Sequence, residues 1–240
     1  MTQTYCLSPG VHTCCTGEFC VFLDLQRDKY ISVNTNDLSR VAPCIRGINA
    51  SRGPFPAAAA ALDPASAIFL DDLCAAQLII HTSPDNSPSK GAAIPDPRDD
   101  LTSVRSPDQQ PQGVAHLLQL TKALCNAHFQ LSHRPISQIV ANVERRKRQR
   151  IVATKDDDMQ QTLTLAYHFS RYRFLYPKDY LCMLDSLALL LYLASYNLYP
   201  MWVFGVREAP FFAHCWVQAG TTVLSDYRDK VIPYTPIMVI

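Results

Sequence analysis

An excess of charge of either sign is missing from this chain. Its 22 Lys and Arg face 21 Asp and Glu over 240 residues, a formal net charge of +1. The whole-protein field therefore gives no reason to expect nucleic acid or a membrane surface as partner. Long apolar runs are missing too. The longest, Leu187 to Ala194, is far short of the ~20 residues that span a bilayer, and with Asp185, Ser186 and Ser195 beside it, it reads as a buried core helix. Met1-Thr2-Gln3-Thr4-Tyr5 lacks a basic segment followed by an apolar one, so no secretory signal is expected. The nine cysteines are odd in number and irregular in spacing, which argues against a disulfide framework. A reduced, cytoplasmic protein is the expectation.

What is present suffices for a core: 48% of residues are hydrophobic, and the length fits one large domain or two small ones. The opening reads as β. Val11 to Thr16, Phe19 to Leu25 and Lys29 to Val33 are short β-branched and aromatic runs, with Thr16-Gly17-Glu18 and Gln26-Arg27-Asp28 as loops, which predicts a three-stranded antiparallel meander. Asn34, Thr35 or Asn36 can cap a helix to about Cys44, Ala57 to Leu62 favours helix, and Pro64 and Ser66 can open another to about Leu78. From His81 to Gln112 the chain turns to Pro, Ser, Asp and Gln, a composition that buries too little to offset its ordering entropy. The expected organisation is α+β: a domain over 1–82, a linker over 83–112 and a second domain over 113–240.

In the second domain the period becomes 3.6. Leu117, Leu118, Thr121, Leu124, Cys125 and His128 share one helical face, and Ile136, Ile139, Val140 and Val143 make a second stripe behind Pro135. A third helix is expected from about Asp156 to Leu175. Its acidic start follows the basic run Arg145, Arg146, Lys147, Arg148 and Arg150, which reads as a solvated helix end complementing the helix dipole rather than a nucleic-acid patch. A fourth helix, apolar nearly all round, starts near Tyr180 to Cys182, and strands Met201 to Val206, Phe211 to Gln218 and Thr221 to Leu224 follow.

Cys182, His214 and Asp226 stand in the order of a thiol hydrolase. A cysteine reacts as thiolate, and an ordinary thiol with a pKa of about 8.5 is only a few per cent ionised near neutrality. A helix N-terminus and a nearby imidazole both lower that pKa, and Cys182 is placed to have both. Each residue also has a plain structural explanation: a small core hydrophobe, a core histidine, a strand-end cap. On its strand His214 shares a face with Phe212, Trp216 and Gln218. A three-residue loop Gln218-Ala219-Gly220 would pair His214 with Leu224 and place Asp226 diagonally on the same face. A two-residue Ala219-Gly220 loop would put it on the other face, absent a bulge. His12, Cys14, Cys15 and Cys20 also cluster on the first two strands, but neighbours in a strand face opposite sides and no metal site is expected.

Cys182-x-x-Asp185-Ser186-Leu187-Ala188-Leu189, Phe204-Gly205-Val206-Arg207-x-x-Pro210-Phe211-x-Ala213-His214-x-Trp216-Val217 and Val223-Leu224-Ser225-Asp226 carry a resemblance. With His214 32 residues after Cys182 and Asp226 12 after His214, the pattern resembles the transglutaminase-like B proteins of lasso-peptide biosynthesis from about Gln112 to Ile240. More weakly, the first third is similar to the PqqD-like winged-helix domain of these pathways, with three strands and three helices. The resemblance implies a papain-like, transglutaminase-like cysteine peptidase, its helices packed on an antiparallel sheet, with Cys182, His214 and Asp226 as its triad. It implies that a precursor's leader peptide adds as a strand at Lys29, Tyr30, Ile31, Ser32 and Val33, where an exposed edge offers unpaired backbone groups. The leader, typically with threonine as its penultimate residue, is then cut from the core peptide. An asparagine-synthetase-like macrolactam synthetase, the expected partner, closes the ring. Asp185 stands where the family commonly has a basic residue.

On this expectation His214 deprotonates Cys182, Asp226 holds the ring, and the Cys182 backbone N–H contributes to the oxyanion hole. The chain has no Gly-x-x-x-x-Gly-Lys-Ser/Thr loop, so any ATP requirement is expected to belong to the synthetase. Two rivals remain: acyl transfer, in which an amine resolves the acyl-enzyme, and a non-catalytic carrier that delivers precursor to the synthetase.

Overall fold

A computed structural model describes residues 4–48, 63–82, 94–103, 114–149, 156–177 and 179–240. By its internal contacts the chain divides into two units, one of residues 1–92 with 206–212 and 235–238, the other of 93–205 with 213–234 and 239–240.

In the first unit the expected meander is present as β2 (Val11–Cys15), β3 (Phe19–Asp24) and β4 (Lys29–Asn34), in the order β2-β3-β4. Asp24 shapes its second turn. The carboxylate accepts from the backbone N–H of Gln26 at 2.9 Å and of Arg27 at 3.2 Å, and Asp28 takes a positive φ of 52°. A second three-stranded sheet corrects the expected content of three strands. β1 (Thr4–Leu7) lies between β5 (Ile45–Arg46) and β6 (Ile79–Thr82), pairing parallel to the first and antiparallel to the second. These pieces have two to four residues each, too short to show a period, and their pairing is made by partners far off in sequence.

Helix α1 (Thr35–Val41) is capped by Asn34, whose side chain accepts from the Asn36 N–H at 2.8 Å, and a 3-10 turn over Ala42–Cys44 extends it to the expected end. α2 (Pro64–Ala75) has Asp63 as its cap and Pro64 at its first position. It stops in a Schellman motif. Gln77 adopts φ 59°, and the N–H groups of Gln77 and Leu78 close onto the carbonyls of Cys74 and Leu73. The helix expected at Ala57 to Leu62 lies outside the described residues. Val11, Phe22, Leu38, Val41, Leu70 and Ile79 belong to one buried cluster, so both sheets and both helices share a core.

A disulfide joins Cys15 and Cys20, correcting the expectation of a fully reduced chain. The register explains it: the two residues face each other at the β2–β3 hairpin end, with Cα atoms 4.0 Å apart. Their spacing in sequence is simply that of a short hairpin.

The second unit contains α3 (Val114–His133), α4 (Ile136–Arg148), α5 (Asp156–Tyr172) with a 3-10 turn at Arg173–Leu175, and α6 (Cys182–Ala194). α3 and α5 pack along α6, whose Leu187, Ala188 and Leu189 are fully buried, as its all-round apolar sequence requires. The basic run ends α4, where Arg148 pairs with Glu144 one turn earlier at 2.9 Å. The unit's strands β8 (Met201–Arg207), β9 (Phe212–Ala219), β10 (Thr222–Val223) and β7 (Asp99–Asp100) lie side by side in that order in one sheet.

β7 lies in the stretch expected to be linker, and it pairs parallel to β10, so this sheet is mixed rather than antiparallel. Residues 94–103 are held by polar contacts that composition does not display. The Gln218 side chain donates to Pro95 O at 2.7 Å, Arg98 N–H donates to Thr221 O at 2.8 Å, and the Asp100 carboxylate caps the Arg228 N–H at 2.8 Å. That last bond anchors α7 (Arg228–Val231). Among the described residues no helix is long and apolar enough to cross a membrane.

Gly205 on β8 sits under Trp216. A Cβ there would lie 2.9 Å from Trp216 Cζ3 and 3.0 Å from Tyr234 Cβ, both part of tightly packed side chains. Gly205→Ala is therefore expected to cost about 1–3 kcal/mol of stability through overpacking. Denaturant unfolding measures it, and an unchanged midpoint contradicts this packing.

Candidate active site

Cys182 is the first residue of α6. The residue before it, Leu181, has extended backbone and makes no side-chain cap, so the first N–H groups of the helix keep their hydrogen-bonding capacity and partial positive charge beside the thiol. Cys182 itself is exposed.

His214 is buried on β9 between two aromatic rings, Trp216 at 6.2 Å and Tyr234 at 5.2 Å between centroids. Its Nε2 lies 2.8 Å from Asp226 Oδ2. An ionised carboxylate only accepts, so Nε2 carries the proton and donates, leaving Nδ1 as the nitrogen available to the Cys182 thiol, which is hydrogen-bonded to the same ring. The other Asp226 oxygen accepts from the Tyr227 N–H at 2.9 Å, and Lys230 of α7 pairs with Oδ2 at 2.9 Å. These bonds hold the Asp226 carboxyl below its usual pKa although burial pushes it up.

The three residues thus come together, but not by the expected hairpin. β9 and β10 pair Ala219 with Thr222 and Gln218 with Val223, so the turn is Gly220-Thr221, with Gly220 at φ 55°. Continued unbroken, that register would place Asp226 on the face opposite His214. The ladder stops first. Leu224 N–H still bonds Val217 O at 2.8 Å, but the Val217 N–H is taken by the Ser225 hydroxyl at 2.9 Å in place of a backbone carbonyl. Beyond Ser225 the chain leaves the sheet and can turn Asp226 toward the imidazole.

Cys215 is the residue that sequence reasoning missed. Strand alternation turns it away from His214, onto the face covered by α6, where its Sγ lies 3.4 Å from Ser186 Oγ. Ser186 in turn accepts from Trp202 Nε1–H at 3.0 Å. Both the thiol and the backbone N–H of Cys215 hydrogen-bond to Cys182. The Cys215 thiol bond is the largest influence lowering the Cys182 pKa, to about 4, followed by the His214 bond and opposed by burial. The Cys215 thiol itself is pushed up, first by that same bond. Burial alone would lower the His214 pKa, but its bonds to Asp226 and Cys182 outweigh burial and raise it to about 9. A cysteine directly after the histidine was the only available sequence signal. The arrangement can hold a thiolate–imidazolium pair and deliver a sulfur nucleophile with a proton donor beside it.

Asp185 pairs with the buried Arg173 and also accepts from the Leu181 backbone N–H. Lys29, Tyr30, Ile31, Ser32 and Val33 lie on β4, the edge strand of the β2-β3-β4 sheet. Among the described residues no group of three or more His, Cys, Asp or Glu is arranged to hold a metal ion.

Residues 123–239 match the model of the transglutaminase-like superfamily, a stretch that contains Cys182, His214 and Asp226. No curated protein and no solved structure matches the chain.

With its pKa lowered, the Cys182 thiol stays ionised as pH falls until about 4. Alkylation of Cys182 by iodoacetamide, followed by peptide mass mapping, is expected to lose its rate only near that pH. Cys215→Ala should move the midpoint upward, because it removes a donor to the thiolate. A midpoint in the ordinary thiol range contradicts the ion pair.

Proposed function

We propose that the chain is a cysteine peptidase that binds the leader of a lasso-peptide precursor and cuts it from the core peptide before ring closure by a partner synthetase. The observation that carries this reading is the hydrogen-bonded order Cys182, His214, Asp226, inside a stretch matching the transglutaminase-like superfamily. Cys182 attacks the carbonyl at the leader–core junction and His214, already protonated through Nδ1, gives that proton to the leaving amine. The core peptide departs with a free N-terminus. His214 then takes a proton from water, which attacks the acyl-enzyme and releases the leader. Asp226 keeps Nε2 protonated throughout and stabilises the imidazolium. The backbone N–H of Cys182 and its neighbours in the first turn of α6 are the natural donors for the oxyanion.

Leader capture is assigned to β4, whose place at a sheet edge supports strand addition over Lys29 to Val33. The asparagine-synthetase-like partner would use the ATP, where ATP is needed, and take the freed core.

Incubated with its precursor, the protein is expected to yield leader and core as two products by mass spectrometry. Cys182→Ala should abolish this and Asp226→Asn should reduce it by several orders of magnitude, since the amide favours the wrong ring tautomer. Undiminished cleavage by Cys182→Ala removes the proposal. The superfamily match is also compatible with acyl transfer. Product masses separate the two, because an amide-exchanged leader retains the added amine. A carrier role predicts that Cys182→Ala is harmless while β4 substitutions abolish function.

A further inference from the structure

Arg173 is 2% exposed and sits in the 3-10 turn after α5. A guanidinium leaves water only where partners replace its hydration. Here Nε donates to Asp185 Oδ1, Nη1 to Tyr176 O at 3.3 Å and Nη2 to Asp179 O at 3.0 Å, while the Tyr180 ring lies 4.7 Å from the guanidinium carbon. These four groups lie on the chain that leads from α5 into the first turn of α6. Asp179 and Tyr180 shortly precede Cys182, and Asp185 follows it by three residues.

Residues three apart on a helix are surface neighbours. A carboxylate at 185 therefore stands beside a thiolate at 182, two like charges that each oppose the other's ionisation. Burial and the Cys182 thiolate raise the Asp185 pKa on balance, against the Arg173 bond and charge and the Leu181 N–H, which lower it. The Arg173 cation, bonded to Asp185, offsets the charge that the thiolate would otherwise face.

We propose that Arg173 is a positioning residue for the nucleophile: it neutralises Asp185 in the first turn of α6 and fixes the backbone entering that turn, so that Cys182 ionises at the helix N-terminus. This rests on Cys182 being the nucleophile of the proposed reaction. It differs from a plain structural ion pair, because removing both charges should restore the thiolate that removing Arg173 alone loses.

The test titrates Cys182 alkylation by iodoacetamide in the full chain, as wild type, Arg173→Met, Asp185→Asn and the double variant, with thermal melts as the check on folding. Arg173→Met should raise the midpoint by about one unit or more, about a tenfold loss of thiolate at pH values below it. Asp185→Asn should leave the midpoint at or below that of wild type, and the double variant should return to about the wild-type value. An unmoved midpoint in folded Arg173→Met overturns the proposal, as does a double variant as high as Arg173→Met. Should Arg173→Met fail to fold, Asp185→Asn alone decides, and a raised midpoint there overturns it. No peptide substrate enters this titration. An uncut precursor with the pattern intact removes the peptidase reading and keeps the Arg173 role, whereas a cut precursor with an unmoved midpoint removes only the latter.

Discussion

The hydrogen bond from His214 Nε2 to Asp226 Oδ2 is the constraint on which the site depends. It decides which ring nitrogen holds a proton, so it decides that Nδ1 meets the thiol. Without it the buried imidazole would be pushed toward its neutral form, and Cys182 would lose one of its partners in charge. With it, a carboxylate held by Lys230 and the Tyr227 N–H supports an imidazolium, and the imidazolium together with Cys215 supports a thiolate. Each charge is stabilised by its neighbour, and for the largely buried His214–Asp226 pair that is worth more than at the surface.

Much of the second unit can be understood as scaffolding for that bond. The β9–β10 ladder has to end where Ser225 takes over from the backbone, because an unbroken strand would carry Asp226 to the wrong face. α7, which carries Lys230, is in turn held by Asp100. Trp216 closes on the imidazole from one side, and Gly205 makes room for it. Residues 94–103 therefore belong to the site's support even though none of them touches the thiol.

The sequence pointed to the side chains that come together better than to the geometry that joins them. Helices with a strong period, such as the stripe at Ile139 and Val140 or the apolar α6, were legible because burial of one face or of all faces leaves a direct trace in residue order. Cys182, His214 and Asp226 were legible because thiol chemistry restricts residue types and their order along the chain suits it. The hairpin was not. Loop choice turns on small differences among Ala219, Gly220 and Thr221, and a one-residue slip reverses the face of every residue beyond it. β1, β5 and β7 were missed because strands of two to four residues exist only through distant partners. Cys215 was overlooked because alternation separates it from His214, whereas α6 brings Cys182 within reach of both. Arg173 lies nine residues before Cys182, and only the fold brings its guanidinium to Asp185.

The most direct measurement of the central claim is the protonation of the His214 ring, followed by nitrogen-15 NMR across pH in the wild-type chain. The coupled pair predicts an imidazolium that persists until the pH rises through about 9, with Nε2–H protected by Asp226. A ring that becomes neutral near the unperturbed histidine pKa of about 6.5 would contradict the account.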